Sequence, residues 1–325
     1  MTALTRVLST LTTPLLPDDY LSLFNPLWST SETRGRIVGV RRETAEAATL
    51  TIKPGLGWKE HRPGQWLRVG VDIDGVRHWR SYSLSGKPGT VEITVKAQGL
   101  VSNHLVHRTR PGTIVALGEP EGDFVLPPEP VKPLFITAGS GITPVMAMLR
   151  AGVRDAVLIH SAPSRPSVIF GAELRRVDGL RYIERHTREQ GRLEPSALKT
   201  LVPDLDERQI YACGPEEMLR ALEERYPTVK TERFRLTQTA VGDGGEVTFT
   251  RSGVTAQTRG SILEAGESAG ALLPSGCRMG ICFSCVGKLT SGKVRDLRNG
   301  QVHGDPGDLV QTCVSAPAGP CEIDL

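Results

Sequence analysis

The sequence lacks several features that would each assign it to a class of protein. No apolar run approaches the roughly 20 residues that a bilayer-spanning helix needs, so we expect a chain that is not itself transmembrane. The formal net charge is only +3 and the basic residues are scattered, which argues against nucleic-acid binding. Residues 1–17 contain no sustained apolar core and no small-residue cleavage site, so we expect no secretory signal. Internal repeats are also absent.

Cysteine is scarce, with six in 325 residues, which excludes a disulfide scaffold. Four of them follow the pattern C-x4-C-x2-C and then a distant single Cys, namely Cys277, Cys282, Cys285 and Cys313. That spacing is typical of the thiolates that hold a plant-type 2Fe–2S cluster. A structural zinc site is the alternative, but zinc ligands usually come as two short knuckles, and here they divide three plus one. Because free thiolates need a reducing compartment, we predict a cytoplasmic protein.

Length and patterning predict a multi-domain chain. Short strands with turn punctuation indicate a small antiparallel β-barrel, and alternation of strands and helices then indicates a doubly wound α/β sheet. A hairpin, the helix Ser261–Ser268 and the cysteine loop form the last part. Ahead of the barrel, Leu15–Phe24 is predicted to be a short helix ending at Asn25-Pro26. The predicted boundaries are an extension at 1–33, the barrel at 34–129, the α/β domain at 130–238 and the cysteine-bearing domain at 239–325.

Two segments of the barrel carry chemistry suited to a flavin nucleotide. The strand Arg80-Ser81-Tyr82-Ser83 offers an arginine for a diphosphate, a tyrosine that can stack on a ring system and serine hydroxyls. The later turn Gly99-Leu100-Val101-Ser102 precedes a helix and can offer amides and a hydroxyl to phosphate. Taken alone, the first segment is more typical of an ordinary surface strand, and the flavin interpretation depends on its neighbours.

Three segments of the α/β domain lie where such sheets bind nucleotides. Gly139-Ser140-Gly141-Ile142-Thr143-Pro144 follows a buried strand and opens a helix, although it also fits a tight turn without a ligand. Cys213-Gly214 ends a later strand, where Cys213 is either at the site or a small buried hydrophobe. Ser161 and Arg165 follow the second strand and can hold a 2′-phosphate, which favours NADPH, unless Arg165 is simply an exposed loop residue.

These segments, in this order, resemble the ferredoxin–NADP reductase superfamily over about residues 34–325. The motifs are R-x-Y-S, G-x-x-S, A-G-S-G-I-T-P, C-G-P and the cysteine loop. More narrowly, the chain is similar to single-chain oxygenase and desaturase reductases that carry a C-terminal plant-type ferredoxin domain. The resemblance implies a flavin-binding β-barrel, a nucleotide-binding α/β domain and a β-grasp ferredoxin domain of the α+β class.

The resemblance also implies roles for individual residues. Arg80 would contact the flavin diphosphate, Tyr82 the ribityl and ring region, and Ser83 the N5 side where hydride arrives. The turn from Gly99 through Val101 to Ser102 would hold phosphate, which suggests FAD rather than FMN. The pyridine nucleotide would lie against Gly139, Gly141 and Thr143, with Cys213 and Gly214 beside the nicotinamide; Ser83 and Cys213 are thus the candidate catalytic residues. The cluster ligands would be Cys277, Cys282, Cys285 and Cys313.

Together these assignments predict an NAD(P)H-dependent oxidoreductase that passes electrons from NAD(P)H to FAD, to the cluster and on to an oxygen-activating partner. The segment Leu15–Trp28 resembles the N-terminal extension of actinobacterial reductases that serve membrane acyl-CoA desaturases, so we favour that partner and expect a monomer recruited to the membrane by it. Packing of Leu21, Phe24 and Trp28 on the barrel is the alternative interpretation. Other acceptors are an aromatic or acyl-CoA oxygenase, an alkane hydroxylase or a P450, and a redox sensor is a function of another class.

Two features depart from plant ferredoxins. Position 283 is Phe, where a small residue is usual, so exposure of the cluster is expected to differ. The cluster side also carries the basic residues Arg278, Lys293, Arg295 and Arg298. They form either a docking face or an ordinary solvated surface, and the sequence leaves both interpretations open.

Overall fold

The protein was analysed as a computed structural model, which describes residues 21, 23–234, 243–276, 278, 280 and 283–325. Most of the predicted helix Leu15–Phe24 therefore lies outside the described residues, as do Cys277 and Cys282. After it comes a 3-10 turn, Pro26–Trp28, in which the Asn25 side chain accepts a hydrogen bond from Leu27 N. The chain divides into two compact units, one of residues up to 77 and 81–233, the other of residues 78–80 and 234–325.

The predicted barrel is confirmed as a six-stranded antiparallel sheet around one apolar core. Asp74 and Gly75 both have left-handed backbones, as a two-residue hairpin turn requires. This turn joins the strands Trp66–Ile73 (β3) and Val76–Ser83 (β4). The helix Leu100–His107 covers the core with Val101, Leu105 and Val106. In sheet order the strands run β4-β3-β6-β1-β2-β5. Their bounds are β1 (Arg34–Thr44), β2 (Ala47–Pro54), β3 (Trp66–Ile73), β4 (Val76–Ser83), β5 (Val91–Lys96) and β6 (Ile114–Leu117).

The α/β part is a five-stranded parallel sheet in the order β11-β10-β7-β8-β9. The strands are β7 (Pro133–Ala138), β8 (Val157–Ala162), β9 (Arg181–His186), β10 (Gln209–Cys213) and β11 (Lys230–Glu232). The helices are Ile142–Arg150, Gly171–Leu174, Thr187–Gln190, Leu198–Leu201 and Glu216–Arg225. The order of strands along the chain reverses between β7 and β10, so their carboxyl ends form the crevice where doubly wound sheets bind ligands.

The second unit holds a mixed five-stranded sheet in the order β13-β12-β19-β14-β17 and a small sheet in the order β16-β15-β18. Ser261 caps the helix Ile262–Ser268 by accepting a hydrogen bond from Glu264 N. That helix packs Ile262 against Val247 and Phe249 of the sheet. The strands are β12 (Gly245–Phe249), β13 (Val254–Thr258), β14 (Val286–Ser291), β15 (Val294–Asp296), β16 (Val302–His303), β17 (Leu309–Gln311), β18 (Ser315–Pro317) and β19 (Cys321–Asp324).

The three architectures therefore follow one another as expected, barrel, doubly wound sheet and α+β domain, while the residue boundaries given above stay predictions. Among the described residues, no helix combines the length and the apolar character that crossing a bilayer would require. The strand β11 was not predicted. It is short and polar, and it places Glu232 beside the end of β10.

Candidate functional site

The end of β4 carries two buried hydroxyl groups. Ser81 Oγ and Ser83 Oγ are shielded from solvent, and neither makes a hydrogen bond of normal length within the described residues, although the Glu232 carboxyl lies near the Ser83 hydroxyl. Tyr82 between them packs on the barrel core, and Arg80 donates to Trp79 O at 2.7 Å. Because buried hydroxyl groups are nearly always hydrogen-bonded, two orphans on one strand fit a polar ligand such as the flavin of FAD.

The turn at Gly99 is open on its outer side but uses its own serine internally. A side chain added at Gly99 would meet nothing within 4 Å. Ser102 Oγ accepts hydrogen bonds from Gln98 N and Gly99 N, both at 2.9 Å, and donates to Gly99 O. The hydroxyl that the sequence offered to phosphate is thus engaged in capping its own helix. The amides of Leu100 and Val101 at the helix start are the donors that remain for an anion.

Two glycine turns meet at the adjacent carboxyl ends of β7 and β10. Gly139 has a left-handed backbone, with φ of 56°. A Cβ at Gly141 would lie 2.1 Å from Cys213 O, so only glycine permits this approach. Thr143 Oγ1 donates to Ser140 O at 2.9 Å and closes the turn. With Gly214, whose added Cβ would lie 3.2 Å from Ala138 Cβ, the structure brings the predicted nucleotide-binding residues together.

A row of polar residues crosses the sheet at this edge. In register they are Glu232, Cys213, Thr137, His160 and Glu184, one from each strand. Register partners in a parallel sheet share a face, so all five side chains point the same way. Thr137 Oγ1 lies 2.8 Å from His160 Nδ1. Burial lowers the pKa of His160 to about 4, which keeps that imidazole neutral.

Cys213 is the one predicted site residue of this row, and the buried carboxyl of Glu232 is among the four that were not predicted. Its Oε2 is shielded from solvent and has no hydrogen-bond partner among the described residues. Burial raises the pKa of the carboxyl to about 8, and the nearby Ser83 hydroxyl opposes that shift. Burial also raises the pKa of the Cys213 thiol, with Glu232 adding to it. Ser83, Cys213 and Glu232 therefore form a dry polar group between the barrel and the sheet.

The loop after β8 carries the predicted 2′-phosphate residues Ser161 and Arg165, and the loop after β9 lies beside it. Ser161 Oγ is buried and makes no hydrogen bond within the described chain. Arg165 follows β8, and Arg188, also missed from the sequence, follows β9; Arg188 N donates to Pro163 O at 3.3 Å. Both side chains are exposed, and neither has a carboxylate partner among the described residues. Arg185, by contrast, is engaged by main-chain oxygens, including Gly191 O at 3.0 Å.

Two of the four predicted cluster ligands are described, and they lie together. The Sγ atoms of Cys285 and Cys313 are 3.1 Å apart and both residues are buried. Thr312 holds the pair, because its Oγ1 and N donate to Cys285 O. The hydrogen bond between Cys285 and Cys313 lowers the pKa of Cys285 to about 6, toward the thiolate that binds metal. The pair therefore fits one side of a 2Fe–2S cluster. With Cys277 and Cys282 outside the described ranges, those ranges hold no group of three metal-binding side chains.

The basic residues near the cluster are neutralised. Each has a carboxylate partner, which favours the solvated surface over a basic docking face. The pairs are Arg278 with Glu267, Lys293 with Asp305, Arg295 with Asp243, and Arg298 with Asp296. Phe283 differs from them, since its side chain is 66% exposed and its φ is 55°, a left-handed conformation uncommon for a bulky residue.

Three family models match consecutive parts of the chain. They are an oxidoreductase FAD-binding domain at residues 52–126, an oxidoreductase NAD-binding domain at residues 135–224 and a 2Fe–2S iron–sulfur cluster binding domain at residues 247–318. The first range contains the buried hydroxyl groups of β4, the second the glycine turns, and the third the cysteine pair. FAD, NAD(P)H and a 2Fe–2S cluster are therefore the cofactors of this protein, as expected.

Relatives match over nearly the full length. An "NADPH oxidoreductase" of Mycobacterium tuberculosis (strain ATCC 25618 / H37Rv) is 51% identical, over 99% of this chain and 92% of that protein. A "glycine betaine monooxygenase reductase subunit" of Pseudomonas aeruginosa (strain UCBPP-PA14) is 30% identical, over 91% and 96%. The solved structure of phthalate dioxygenase reductase shares the fold, with a TM-score of 0.62, 23% identity, and coverage of 90% of this chain and 97% of that one.

Full-length similarity to these proteins agrees with the three sites described above, each in its own sheet and in the same order along the chain. The chain belongs to the ferredoxin–NADP reductase superfamily, as an NAD(P)H-dependent oxidoreductase with a C-terminal 2Fe–2S ferredoxin domain.

Proposed function

We propose that this protein takes electrons from NADPH and delivers them, through FAD and its 2Fe–2S cluster, to an oxygen-activating partner. The partner that we favour is a fatty-acyl-CoA desaturase. The proposed electron path is supported by the presence of three sites in one chain. They are the crevice at β7 and β10, the orphan hydroxyl groups of β4, and the sulfur pair of Cys285 and Cys313. When bound, FAD accepts a hydride and releases electrons one at a time, which the single-electron cluster requires.

In this proposal the residues of the chain bind and orient the cofactors, and some of them hold protons. Ser83 Oγ is the donor available to the flavin, and Cys213 fixes the nicotinamide position because Gly141 packs on its carbonyl. Glu232 is the group that can hold a proton near neutral pH beside Ser83, since its pKa is about 8. Its burial also keeps water away from that point, which protects a reactive hydride from side reactions.

NADPH is favoured over NADH by the loops after β8 and β9. Arg165 and Arg188 lie on adjacent loops without acidic partners among the described residues, and Ser161, at the end of β8, has a buried hydroxyl group without a hydrogen-bond partner there. A 2′-phosphate is a dianion that two guanidinium groups and a hydroxyl suit well, whereas the 2′-hydroxyl of NADH leaves both charges unpaired. The relative that is 51% identical is described as an NADPH oxidoreductase, which supports this choice.

The desaturase proposal is supported by the N-terminal segment. Leu23 and Phe24 are 75% and 84% exposed, and Trp28 is 45% exposed, while Leu27 alone of this group is buried. Packing on the barrel, the alternative interpretation, does not account for these side chains. An exposed apolar group next to a sequence that resembles desaturase reductases fits contact with such a partner.

An oxygenase is the second candidate acceptor, because the relative with 30% identity is a monooxygenase reductase subunit. Phe283 supports contact with either kind of acceptor, since an exposed aromatic ring beside the cluster suits a partially apolar interface, and the neighbouring basic residues are already paired. Met279 also lies in this loop but outside the described residues.

Reconstitution tests the choice of acceptor. Purified holoprotein is mixed with NADPH and either membranes containing an acyl-CoA desaturase plus acyl-CoA, or an oxygenase with its substrate, and product is measured. We expect NADPH-dependent desaturation that the double variant Leu23→Ser/Phe24→Ser lowers several-fold. Val38→Ser, an exposed apolar residue on β1, is the matched control and is expected to match wild type.

The electron path and the choice of acceptor are tested by separate measurements. Reduction of ferricyanide and cytochrome c by NADPH reports the path without any natural partner, and it should be unchanged in the double variant. Product with the oxygenase alone would replace the desaturase by the second candidate. Protein that binds its cofactors but reduces no acceptor faster than a slow background would instead favour a redox sensor.

A further inference from the structure

Arg150 joins the nucleotide-binding sheet to the flavin barrel. It ends the helix Ile142–Arg150, and its Nε and Nη2 donate to the Glu173 carboxylate at 2.8 and 2.7 Å, within the α/β part. Its Nη1 donates to Ser85 O at 2.7 Å and to Glu92 Oε2 at 3.1 Å, both in the barrel. Only 12% of the side chain is exposed. A single guanidinium is thus shared between the two parts that bind the two reactants.

The other side of the guanidinium is also fixed. Its Cζ lies 5.0 Å from the centre of the Phe170 ring, which is 2% exposed. Phe170 has φ of 60°, a left-handed conformation that a bulky residue rarely adopts and that persists only when the surroundings enforce it. Strain of this kind is concentrated at sites where geometry has a function.

Arg150 is connected along the chain to both predicted reaction sites, through its partner Ser85 on the flavin side and through its own helix on the nucleotide side. Ser85 lies two residues after Ser83, and its main chain and side chain are held by Glu92 O at 2.8 Å and Thr94 Oγ1 at 2.9 Å. The helix that ends at Arg150 begins one residue after the turn Gly139–Gly141. The guanidinium therefore connects the flavin-side hydroxyl to the nucleotide-side turn through two short, rigid segments.

We propose that Arg150 is a positioning residue for flavin reduction. In that step the hydride of NAD(P)H, two electrons with one proton, moves to the flavin, leaving NAD(P)⁺ and reduced FAD. A misplacement of about 1 Å between reactants can cost on the order of 100-fold in rate. Arg150 prevents such a shift by holding the sheet against the barrel, since all its side-chain nitrogens are engaged by Glu173, Ser85 and Glu92. This role is separate from the identity of the acceptor and of the coenzyme.

Rapid mixing of holoprotein with saturating NADPH tests the proposal, together with the long-wavelength charge-transfer band between nicotinamide and flavin and the thermal unfolding midpoint. We expect Arg150→Met to slow flavin reduction at least about tenfold and to weaken the band at full FAD content. Arg150→Lys should recover part of the rate, because an ammonium keeps the charge but not the forked geometry.

Arg208→Met is the matched control. Arg208 is 6% exposed and bonds Asp155 and Asp204, all within the α/β part, so its loss removes a similar cluster that does not reach the barrel. It should lower the unfolding midpoint and leave the reduction rate within about twofold of wild type. Equal slowing in the two variants, or an unchanged rate and band in Arg150→Met, would overturn the proposal.

Glu92→Gln provides a second test if Arg150→Met yields no folded holoprotein. It weakens the bond from Arg150 to Glu92 and leaves Ser85 O and Glu173 as partners of Arg150. Thr51 Oγ1, which donates to Glu92 Oε1 at 3.1 Å within the barrel, can still donate to the amide oxygen of Gln. We expect flavin reduction to slow at least about threefold with the midpoint nearly unchanged. A rate within about twofold of wild type, with an intact charge-transfer band, would contradict the positioning role.

Discussion

Cys213 and Glu232 are register partners on neighbouring parallel strands, and their side chains share one face of the sheet beside Ser83. Burial raises the pKa of both, to about 8 for Glu232, so the thiol and the carboxyl are neutral together over most of the range below pH 8. In the proposed mechanism hydride would arrive in this dry and uncharged setting, in which one carboxyl is ready to ionise near neutral pH.

Ser83→Ala is expected to slow flavin reduction by about tenfold, the effect of losing one hydrogen bond to the reacting ring. FAD content should be unchanged, because Arg80, Tyr82 and the Gly99 turn remain. Rapid-mixing absorbance at about 450 nm, the flavin region, measures the rate. Thr90→Ala is the control, since Thr90 Oγ1 donates to Lys87 O at 2.7 Å within a turn of the barrel. If both variants are slowed alike, Ser83 has no special role.

Glu232→Gln is expected to change how stability depends on pH. The carboxyl has a pKa of about 8 in the folded chain and near 4.5 when unfolded. Between pH 4.5 and pH 8 the folded state holds a proton that the unfolded state releases. The stabilisation of the folded state by this proton is therefore fully present below pH 4.5 and is lost as the pH rises through 8. Wild type should therefore lose on the order of 3 kcal/mol relative to Glu232→Gln between about pH 5 and about pH 8.5.

Urea unfolding of the FAD-bound protein at several pH values measures this difference. Glu224→Gln is the control, because that carboxyl is 74% exposed on the helix Glu216–Arg225. Its unfolding free energy should follow wild type at every pH. A constant offset between Glu232→Gln and wild type across the whole range would show that Glu232 does not bind a proton in the folded state.

Several elements could be predicted from sequence because their signals are local. The strands β3, β5 and β10 begin and end where the alternation or apolar run does. The cysteine spacing by itself indicates a cluster, since the spacing of the ligands is fixed by the metal unit that they hold. Glycine turns after buried strands located the nucleotide crevice for the same reason, because close backbone approach demands glycine.

Other features depend on contacts that no local pattern carries. The strand β11 has the sequence Lys230-Thr231-Glu232 and pairs only because β10 offers a free edge, so both the strand and its buried carboxyl were missed. Arg188, which we propose as a ligand of the 2′-phosphate, was not predicted because only the fold brings it beside the loop after β8. Ser102 was predicted to bind phosphate, and its hydroxyl is engaged within its own turn. Contacts between separate segments account for β11 and Arg188, and a contact within one turn accounts for Ser102.

Cys285→Ser is expected to abolish the cluster while leaving flavin chemistry intact. One of two sulfurs 3.1 Å apart is lost, and a serine hydroxyl is a poor ligand for iron in such a cluster. Iron content and visible charge-transfer absorption should fall, and NADPH-dependent cytochrome c reduction with them, while ferricyanide reduction by the flavin persists. Cys321→Ser is the control, because burial raises the pKa of that core thiol to about 11. Loss of iron in Cys321→Ser, with retention in Cys285→Ser, would reassign the ligand.

Arg188→Ala is expected to remove much of the preference for NADPH. A guanidinium bonded to a phosphate contributes about 1.5–3 kcal/mol, so kcat/KM for NADPH should fall roughly 10- to 100-fold and kcat/KM for NADH should change little. Arg165→Ala should act in the same direction, and the pair should be less than additive because both would contact one phosphate. Arg192→Ala is the matched control, since its exposed guanidinium is already paired with Glu217. Steady-state ferricyanide reduction with each coenzyme provides the measurement. Equal losses for NADH and NADPH in Arg188→Ala would place this side chain outside the 2′-phosphate site, and the coenzyme choice would then have to come from other residues.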